Sequence, residues 1–231
     1  QPMIQNLKNL KEETFAVSAL RKKYQLPTIA ELPQIKINLS KLKTEYLKFC
    51  SKFIDVETAN PHLCMNHKKL VSEVYDNFEQ INLTELNGEP MPYTDNIKER
   101  IKRREETLYN KKTQDYIGSY FENIVEQFIS PAMRIRITKL APKKEITWHT
   151  DYDPTYATRI IIPIYSNKKV KNLFKVRKNV EEYFLEEGKA YFINGGFAHS
   201  VKNDSENSRI ALMFSLDGQD DLEIVPNRIT Y

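Results

Sequence analysis

Two short motifs, WHTD at 148–151 and FAHSV at 197–201, enclose a run of apolar stretches and are followed by Arg209. Side chains of a β-strand alternate between its two faces, so His149 and Asp151, two positions apart, point the same way. We expect the fold to bring His199 to them from a distant strand. Arg209, ten residues after His199, adds a guanidinium whose planar fork suits a carboxylate better than lysine does.

These residue types in this order indicate a metal site. One carboxylate and two imidazoles form the facial triad that holds non-haem Fe(II) and leaves the opposite coordination positions open. The sequence therefore predicts that His149, Asp151 and His199 are the metal ligands and the catalytic centre. Each residue taken alone is an ordinary polar side chain, and it is their combination with Arg209 that favours the metal.

Further sequence stretches around the triad residues add to this pattern. They are RIIIPI at 159–164, Gly188 with Asn194, HSVKN at His199–Asn203, and RIAL at 209–212. Together with the H-x-D…H…R pattern they resemble the aspartyl/asparaginyl β-hydroxylases, a family of Fe(II)/2-oxoglutarate-dependent oxygenases. That family includes bacterial hydroxylases of free amino acids such as proline. The resemblance covers roughly residues 120–217, under half of the chain.

The resemblance implies the cofactors and several roles. Fe(II), 2-oxoglutarate and O2 are the expected cofactor and co-substrates, and Arg209 is expected to bind the distal carboxylate of 2-oxoglutarate. Arg159 is a second candidate for a carboxylate of co-substrate or substrate. Ser200 is expected to contact the cofactor site or to fix His199, or else is only a turn residue. The carboxylate of Asp151 goes with hydroxylation, and the animal aspartyl hydroxylases, by resemblance, lack it.

Composition restricts the remaining possibilities. The chain has 231 residues, 40% of them apolar and 29% charged, with a net charge of +4. These values are typical of a soluble protein and argue against a strongly basic nucleic-acid-binding surface. No apolar run reaches the length of a membrane span, and no signal-peptide pattern opens the sequence, although a leader removed before Gln1 would be invisible. Two cysteines, Cys50 and Cys64, predict a reducing, cytoplasmic location. The oligomeric state is left open.

Alternating apolar positions in the C-terminal half predict eight β-strands. The expected bounds are 134–140, 145–149, 158–164, 172–177, 182–185, 190–194, 198–202 and 209–216. Eight short strands separated by turn residues suit a double-stranded β-helix, the jelly-roll or cupin-like architecture. We expect a mainly β protein with some α, forming one domain over 1–231. Within it, 131–217 form the core and 218–231 a tail.

The first 130 residues are expected to be mostly helical and to cover one sheet. Helical patterns occur imperfectly in 1–33, after an N-cap at Ser40, and in 68–78, 94–108 and 113–129, while 34–39 alternates like a strand. Within 62–67, two histidines and one cysteine lie close together. They lack the second ligand pair that a structural zinc needs.

The leading functional hypothesis is hydroxylation of a free amino acid, for which Asp153 is a candidate partner of the ammonium group. Hydroxylation of an Asp, Asn or Pro residue in a peptide or protein is the first alternative. Demethylation of nucleic acid is the second, but Ser215 stands where such relatives carry a further arginine. A non-catalytic cupin-like binding module is the third. Aromatic side chains near the motif are candidates for the pocket wall, namely Trp148, Tyr152 and Tyr156.

Overall fold

The computed structural model describes residues 26–59, 78–89, 96, 99, 104–152, 154 and 156–224. Short elements dominate the part before residue 131. They are β1 Ile29–Glu31, α1 Leu39–Leu47, β2 Ile54–Asp55, α2 Val56–Ala59, β3 Phe78–Asn82, β4 Thr84–Glu85, a 3-10 helix Glu105–Leu108, β5 Lys111–Lys112 and α3 Tyr120–Val125. The prediction of a mostly helical N-terminal portion is therefore wrong for the described residues.

Local chemistry explains two of these differences. The predicted helix over 113–129 shrinks to α3 because Gly118 adopts φ +74°, and Ser119 then caps the helix by accepting from the Glu122 N–H. The predicted strand over 34–39 is absent: a turn follows β1, and Asn38 caps α1, two residues before the expected Ser40.

Other predicted helices are only partly covered by the described residues. Most of 94–108 lies outside them, and the described end of it is the 3-10 helix. Residues 1–25, most of the predicted helix over 68–78, and the histidine–cysteine group at 62–67 also lie outside, while Phe78 belongs to β3.

All eight predicted core strands are present. They are β6 Ala132–Leu140, β7 Glu145–His149, β8 Thr158–Tyr165, β9 Val170–Val176, β10 Asn179–Tyr183, β11 Tyr191–Ile193, β12 His199–Asn203 and β13 Arg209–Leu216, followed by a 3-10 helix, Asp220–Ile224. The bounds of β7 and β13 are those predicted, since turn residues delimit both strands sharply.

The strands form two antiparallel sheets. The larger has the order β1-β11-β8-β13-β6-β3-β2 and the smaller β10-β9-β12-β7. Each sheet takes four of the eight core strands. Successive strands alternate between the two sheets except at β9 and β10, which pair with each other in the smaller one, and this arrangement confirms the double-stranded β-helix. The short N-terminal strands β1, β2 and β3 extend the larger sheet at its two edges.

Side chains of the larger sheet alternate between an outer face that is apolar and an inner face that carries both apolar and charged residues. On β8 and β13 the even-numbered apolar residues, such as Ile160, Ile162 and Leu212, are buried in one cluster with Leu42 of α1 and Phe121 of α3. The helices thus cover the outer face, as expected. The odd-numbered residues of β8 and β13 point between the two sheets and include Arg159 and Arg209. No helix of the described part is long and apolar enough to cross a membrane.

Candidate active site

The two predicted histidine ligands are cross-strand neighbours. His149 ends β7 and His199 begins β12, and the antiparallel register pairs them directly. Their ring centroids lie 4.3 Å apart. Phe174 of β9, opposite His199 on the other side, stacks on its imidazole at 5.7 Å. The smaller sheet thus places both imidazoles together and limits the orientations open to His199.

Hydrogen bonds orient the two rings in the same way. Nδ1 of His149 lies 2.7 Å from the carbonyl oxygen of Thr147, and Nδ1 of His199 lies 2.9 Å from that of Phe197. A carbonyl only accepts, so each neutral ring donates its Nδ1–H. Each Nε2 is then left with a lone pair, as a metal-binding histidine requires.

Asp151 lies two residues beyond β7 and is fixed through its backbone. Its N–H donates to the carbonyl of Gly195 at 2.9 Å, and a Cβ at Gly195 would stand only 2.9 Å from the Asp151 Cβ. Asp151 Oδ2 lies 3.8 Å from His199 Nε2. His149, Asp151 and His199 each offer one ligand atom, and these three atoms all lie within 4.8 Å of one another.

This donor set fits a divalent metal. Metal–ligand bonds to histidine and carboxylate are about 2.0–2.2 Å, so small side-chain movements would bring all three groups onto one ion. Two nitrogens and one oxygen on one side suit Fe(II) with open positions opposite. The residues present therefore fit the cofactor that the sequence motif predicts.

The surroundings favour the ligating protonation states. Burial raises the pKa of Asp151, but Arg159, 3.7 Å away, and then the two histidines outweigh it and hold this pKa well below its usual range. Burial lowers the pKa of His199. At neutral pH the site therefore presents a carboxylate and, at His199, a neutral imidazole, which is the form that binds a metal.

Arg209 is buried and lacks an acidic partner among the described residues. It is 4% exposed, and its Nη1 donates to Thr138 Oγ1 at 3.2 Å. Burial lowers the pKa of Arg209 to about 10, so the guanidinium remains charged at neutral pH. A buried cation without an anion is costly, and a bound carboxylate would relieve that cost. The loop before Arg209 is held by Asn203, whose side chain donates to the Asn207 carbonyl.

Arg159 differs from Arg209 because the protein already supplies anions to it. Its Nη2 lies 3.3 Å from Glu106 Oε1, in addition to the 3.7 Å contact with Asp151. Glu106 also accepts from Arg134 Nη1 at 2.6 Å. Arg159 is thus brought to the triad, but as part of an ion-pair network.

Ser200 bonds to the neighbouring strand, and the aromatic residues near the motif differ in their exposure. The buried Ser200 hydroxyl donates to the carbonyl of Ile146 and so ties β12 to β7. Trp148 points outward, with Lys175 Nζ 4.3 Å from its ring centroid. Tyr156 is buried, stacks near Tyr152 at 4.0 Å, and accepts through its hydroxyl from the Glu106 N–H. Asp153 lies outside the described residues.

Sequence reasoning missed three charged residues beside the site: Glu106, Arg134 and Arg136. The two arginines alternate with the apolar residues Met133, Ile135 and Ile137 in β6, a signal that the two charges share one face of the strand. Glu106 was not singled out because it ends a charged stretch within the predicted helix over 94–108, and such a stretch is typical of a solvent-exposed helix face.

Comparisons with known proteins agree with the fold and the motif. Residues 104–217, just under half of the chain, match the family model described as aspartyl/asparaginyl beta-hydroxylase. No curated protein sequence matches the chain significantly. Among solved structures, a prolyl hydroxylase from Trichoplax adhaerens, in complex with a hypoxia-inducible-factor peptide fragment, is 8% identical with a TM-score of 0.51. The match covers 98% of this chain and 97% of that one, which shows a shared fold.

Two further structures resemble parts of the chain. A 2OG-Fe(II) oxygenase from Burkholderia pseudomallei is 14% identical with a TM-score of 0.37, over 60% of this chain and 66% of its own length. A cupin domain from Bordetella pertussis is 16% identical with a TM-score of 0.31, over 40% of this chain and 88% of that one.

Proposed function

We propose that this chain, whose residues 104–217 match the family model described as aspartyl/asparaginyl beta-hydroxylase, is a 2-oxoglutarate-dependent oxygenase that hydroxylates the side chain of a free amino acid. The observation that carries the proposal is the convergence of His149, Asp151 and His199, with each histidine Nδ1 atom hydrogen-bonded to a backbone carbonyl. These three residues are assigned as the ligands of Fe(II).

The protein's own contribution is binding and orientation. When bound, Fe(II) supplies the activation of O2 that oxidises an unactivated C–H bond, with 2-oxoglutarate as co-substrate. Arg209 binds the distal carboxylate of 2-oxoglutarate and so directs its keto-acid end towards the triad. Ser200 acts on the cofactor only through the strand pair that carries the histidines.

A small substrate is favoured by the enclosure of the site. His199, Arg159 and Arg209 are each less than 10% exposed, whereas His149 and Asp151 are half-buried. Charged groups of a substrate that reach the three buried residues would be enclosed with them. The two charges of an amino acid then need protein partners, and Asp153 remains our candidate for the ammonium group. We place the reaction in the reducing cytoplasm, given only two cysteines in the sequence.

A peptide or protein substrate is the competing function. It is favoured by the Trichoplax prolyl hydroxylase, which was solved with a peptide fragment. Nucleic-acid demethylation has less support, because Ser215 is fully buried where a second arginine is expected and the net charge is only +4.

The deciding experiment compares free amino acids with the same residues capped by acetyl and amide groups. Product is detected by mass spectrometry as a gain of one oxygen atom, with succinate release as the companion readout. We expect oxygen insertion into a free amino acid and little into its capped form. Equal or better hydroxylation of the capped form would replace the small-molecule assignment with a peptide or protein substrate.

A further inference from the structure

Glu181 of β10 lies in one cross-strand row with the two histidines of the triad. The registers of the smaller sheet place Glu181 opposite Phe174, Phe174 opposite His199, and His199 opposite His149. Directly paired residues of neighbouring strands point to the same face, so these four side chains all face the larger sheet. At about 4.8 Å per strand, the backbones of Glu181 and His199 are about 10 Å apart. A carboxylate therefore lies between the sheets at the level of the metal site.

The Glu181 carboxylate is held by two neutral hydroxyl groups. Its Oε2 lies 3.0 Å from Thr28 Oγ1 and 2.8 Å from the hydroxyl oxygen of Tyr183, and both hydroxyls donate to it. In the part of the chain that the structure describes, no lysine, arginine or histidine lies within ion-pair distance of Glu181. A half-buried carboxylate gains stability from a cation, since burial removes part of its hydration. The protein thus bonds this anion without neutralising it.

The neighbouring glutamates of the same segment are paired. Glu182, Glu186 and Glu187 each form an ion pair with a lysine, at 3.3, 3.0 and 2.6 Å. Glu181 is the member of this group of four that lacks such a partner, and the alternation of β10 turns it to the inner face, opposite to Glu182. The segment therefore supplies lysines to the other three glutamates and leaves the one near the triad open to a cation from elsewhere.

The connection that Glu181 makes between the sheets does not require a charge. Thr28 precedes β1 at one edge of the larger sheet, and Glu181 and Tyr183 belong to β10 at one edge of the smaller sheet. An amide oxygen accepts two hydrogen bonds as a carboxylate oxygen does, so glutamine at 181 could hold the same two hydroxyls. The hydrogen bonds account for the oxygen atom at this position, and the negative charge calls for a ligand.

The surface between the triad and Glu181 is apolar. Phe174 stacks on His199 at 5.7 Å, and its ring meets that of Tyr183 edge-on at 6.0 Å. Both rings pack in one apolar cluster with residues of β11 in the larger sheet. A molecule that reaches from the metal to Glu181 must pass this apolar wall before it meets the carboxylate. An alkyl stem that ends in a cation has this combination of properties.

Thr28 also links Glu181 to the third proposed ligand. The Thr28 carbonyl accepts from the Asn194 N–H at 2.9 Å, and the carbonyl of the next residue, Gly195, accepts from the Asp151 N–H at 2.9 Å. Thr28 is fully buried, so this chain of bonds is shielded from solvent. The position of the Glu181 carboxylate is therefore coupled to that of Asp151, and a ligand held at Glu181 has a defined place relative to the metal.

We propose that Glu181 binds the side-chain cation of the substrate, and that the enzyme acts on a basic amino acid of the lysine or arginine type whose alkyl stem lies along the Phe174 ring. This assignment rests on the proposed function, because it places a free amino acid beside the triad. It adds the substrate class and a residue that determines specificity.

The test measures binding separately from turnover, with pairs of amino acids that differ in a terminal cation. L-lysine is compared with L-norleucine, and L-arginine with L-citrulline, by calorimetric titration into protein loaded with Fe(II) and 2-oxoglutarate under nitrogen. In the wild type one basic amino acid should bind roughly 10- to 100-fold more tightly than its neutral counterpart. Glu181→Gln should abolish this preference and leave the affinity for 2-oxoglutarate unchanged.

Two further variants separate the charge of Glu181 from its hydrogen bonds. Tyr183→Phe removes one donor to the carboxylate and keeps the charge, so it should keep the preference for the basic amino acid. Glu182→Gln is the matched control, because Glu182 is the next residue of β10, points to the opposite face and pairs with Lys171 at the sheet surface. It should also keep the preference.

Equal binding of basic and neutral amino acids by the wild type, or no binding of any of the four, overturns the assignment. An undiminished preference in Glu181→Gln overturns it too. So does a loss of preference in Tyr183→Phe as large as that in Glu181→Gln, since the three side chains would then act only as a structural connection. Selective binding of a basic amino acid without oxygen insertion would uphold the cation site and reject the proposed hydroxylation. Oxygen insertion into a neutral amino acid, without any preference for a cation, would uphold the hydroxylation and reject the role of Glu181.

Discussion

His149 and His199 lie directly opposite each other in the antiparallel pair of β7 and β12, and each Nδ1 is hydrogen-bonded to the carbonyl two residues earlier in the chain. The geometry of the candidate metal site is thus set by strand register. A slip of one residue would turn one imidazole to the opposite face of the sheet. Ser200, which ties β12 to Ile146 of β7, helps to hold this register.

Alanine at any of the three proposed ligands should abolish succinate formation. We expect His149→Ala and His199→Ala to lose tight Fe(II) binding, because two donors cannot define the facial site. The measurement is iron content after dialysis, with circular dichroism to show that the sheets persist. Trp148→Ala is the control, since Trp148 precedes His149 but points outward and should retain iron.

Asp151→Ala is the most informative member of this series. It removes both a ligand and the carboxylate that lies 3.7 Å from Arg159. Turnover at the wild-type rate in this variant would remove the hydroxylase assignment, because the proposed Fe(II) site requires this carboxylate as its third ligand.

Arg209→Ala should raise the KM for 2-oxoglutarate by orders of magnitude, since the distal carboxylate would be buried without its cation. Arg209→Lys should rescue only partly, because an ammonium lacks the planar fork. Initial rates at varied 2-oxoglutarate provide the measurement. Ser200→Ala should leave this KM unchanged, as its hydroxyl is committed to Ile146. An unchanged KM in Arg209→Ala would move the role to Arg159.

Glu106→Gln should destabilise the fold by about 3–5 kcal/mol, because Arg134 and Arg159 would lose their shared buried anion. The pKa of Glu106 is about 2 in the folded protein, below its ordinary value of 4.5. Its stabilising contribution is therefore fully present above pH 4.5 and is lost as the pH falls through about 2. Urea unfolding across this range should show the loss in the wild type and not in Glu106→Gln.

The control for Glu106 is Glu79→Gln, which removes the partner of the half-buried Lys139 at the sheet surface. We expect it to change the free energy of unfolding by less than about 1 kcal/mol. If the two substitutions lower the free energy of unfolding by the same amount, the buried ion-pair network of Glu106 does not stabilise the fold more than a surface pair does.

Gly195→Ala should weaken Fe(II) binding without unfolding the protein. A Cβ at this position would stand 2.9 Å from both the Asp151 Cβ and the Tyr152 carbonyl oxygen, so Asp151 must move. Gly118→Ala is the matched control, because a Cβ added there meets no atom within 4 Å while the residue has φ +74°. This substitution should lower the stability of the fold and leave the affinity for Fe(II) unchanged. Fluorescence-monitored iron titration separates the two effects, and equal iron affinity in both variants would reject a positioning role for Gly195.

The sequence predicted the C-terminal half of the fold well, because alternation over β6 to β13 is a local signal that the two-layer core requires. The triad followed from residue type and spacing. The N-terminal portion could not be predicted as well, since patterns such as 113–129 are ambiguous and Gly118 interrupts the helix by a backbone conformation. Glu106 was missed because its partners are distant in sequence and only the fold brings them together.

The assignment of this chain as an Fe(II)- and 2-oxoglutarate-dependent oxygenase rests on the triad and Arg209. Succinate release from 2-oxoglutarate by the purified protein, with and without stoichiometric Fe(II), tests it directly beside His199→Ala. We expect iron-dependent succinate release by the wild type and none by the variant. A wild-type protein that binds iron and 2-oxoglutarate but releases no succinate with any amino acid or peptide would show that the chain is not such an oxygenase.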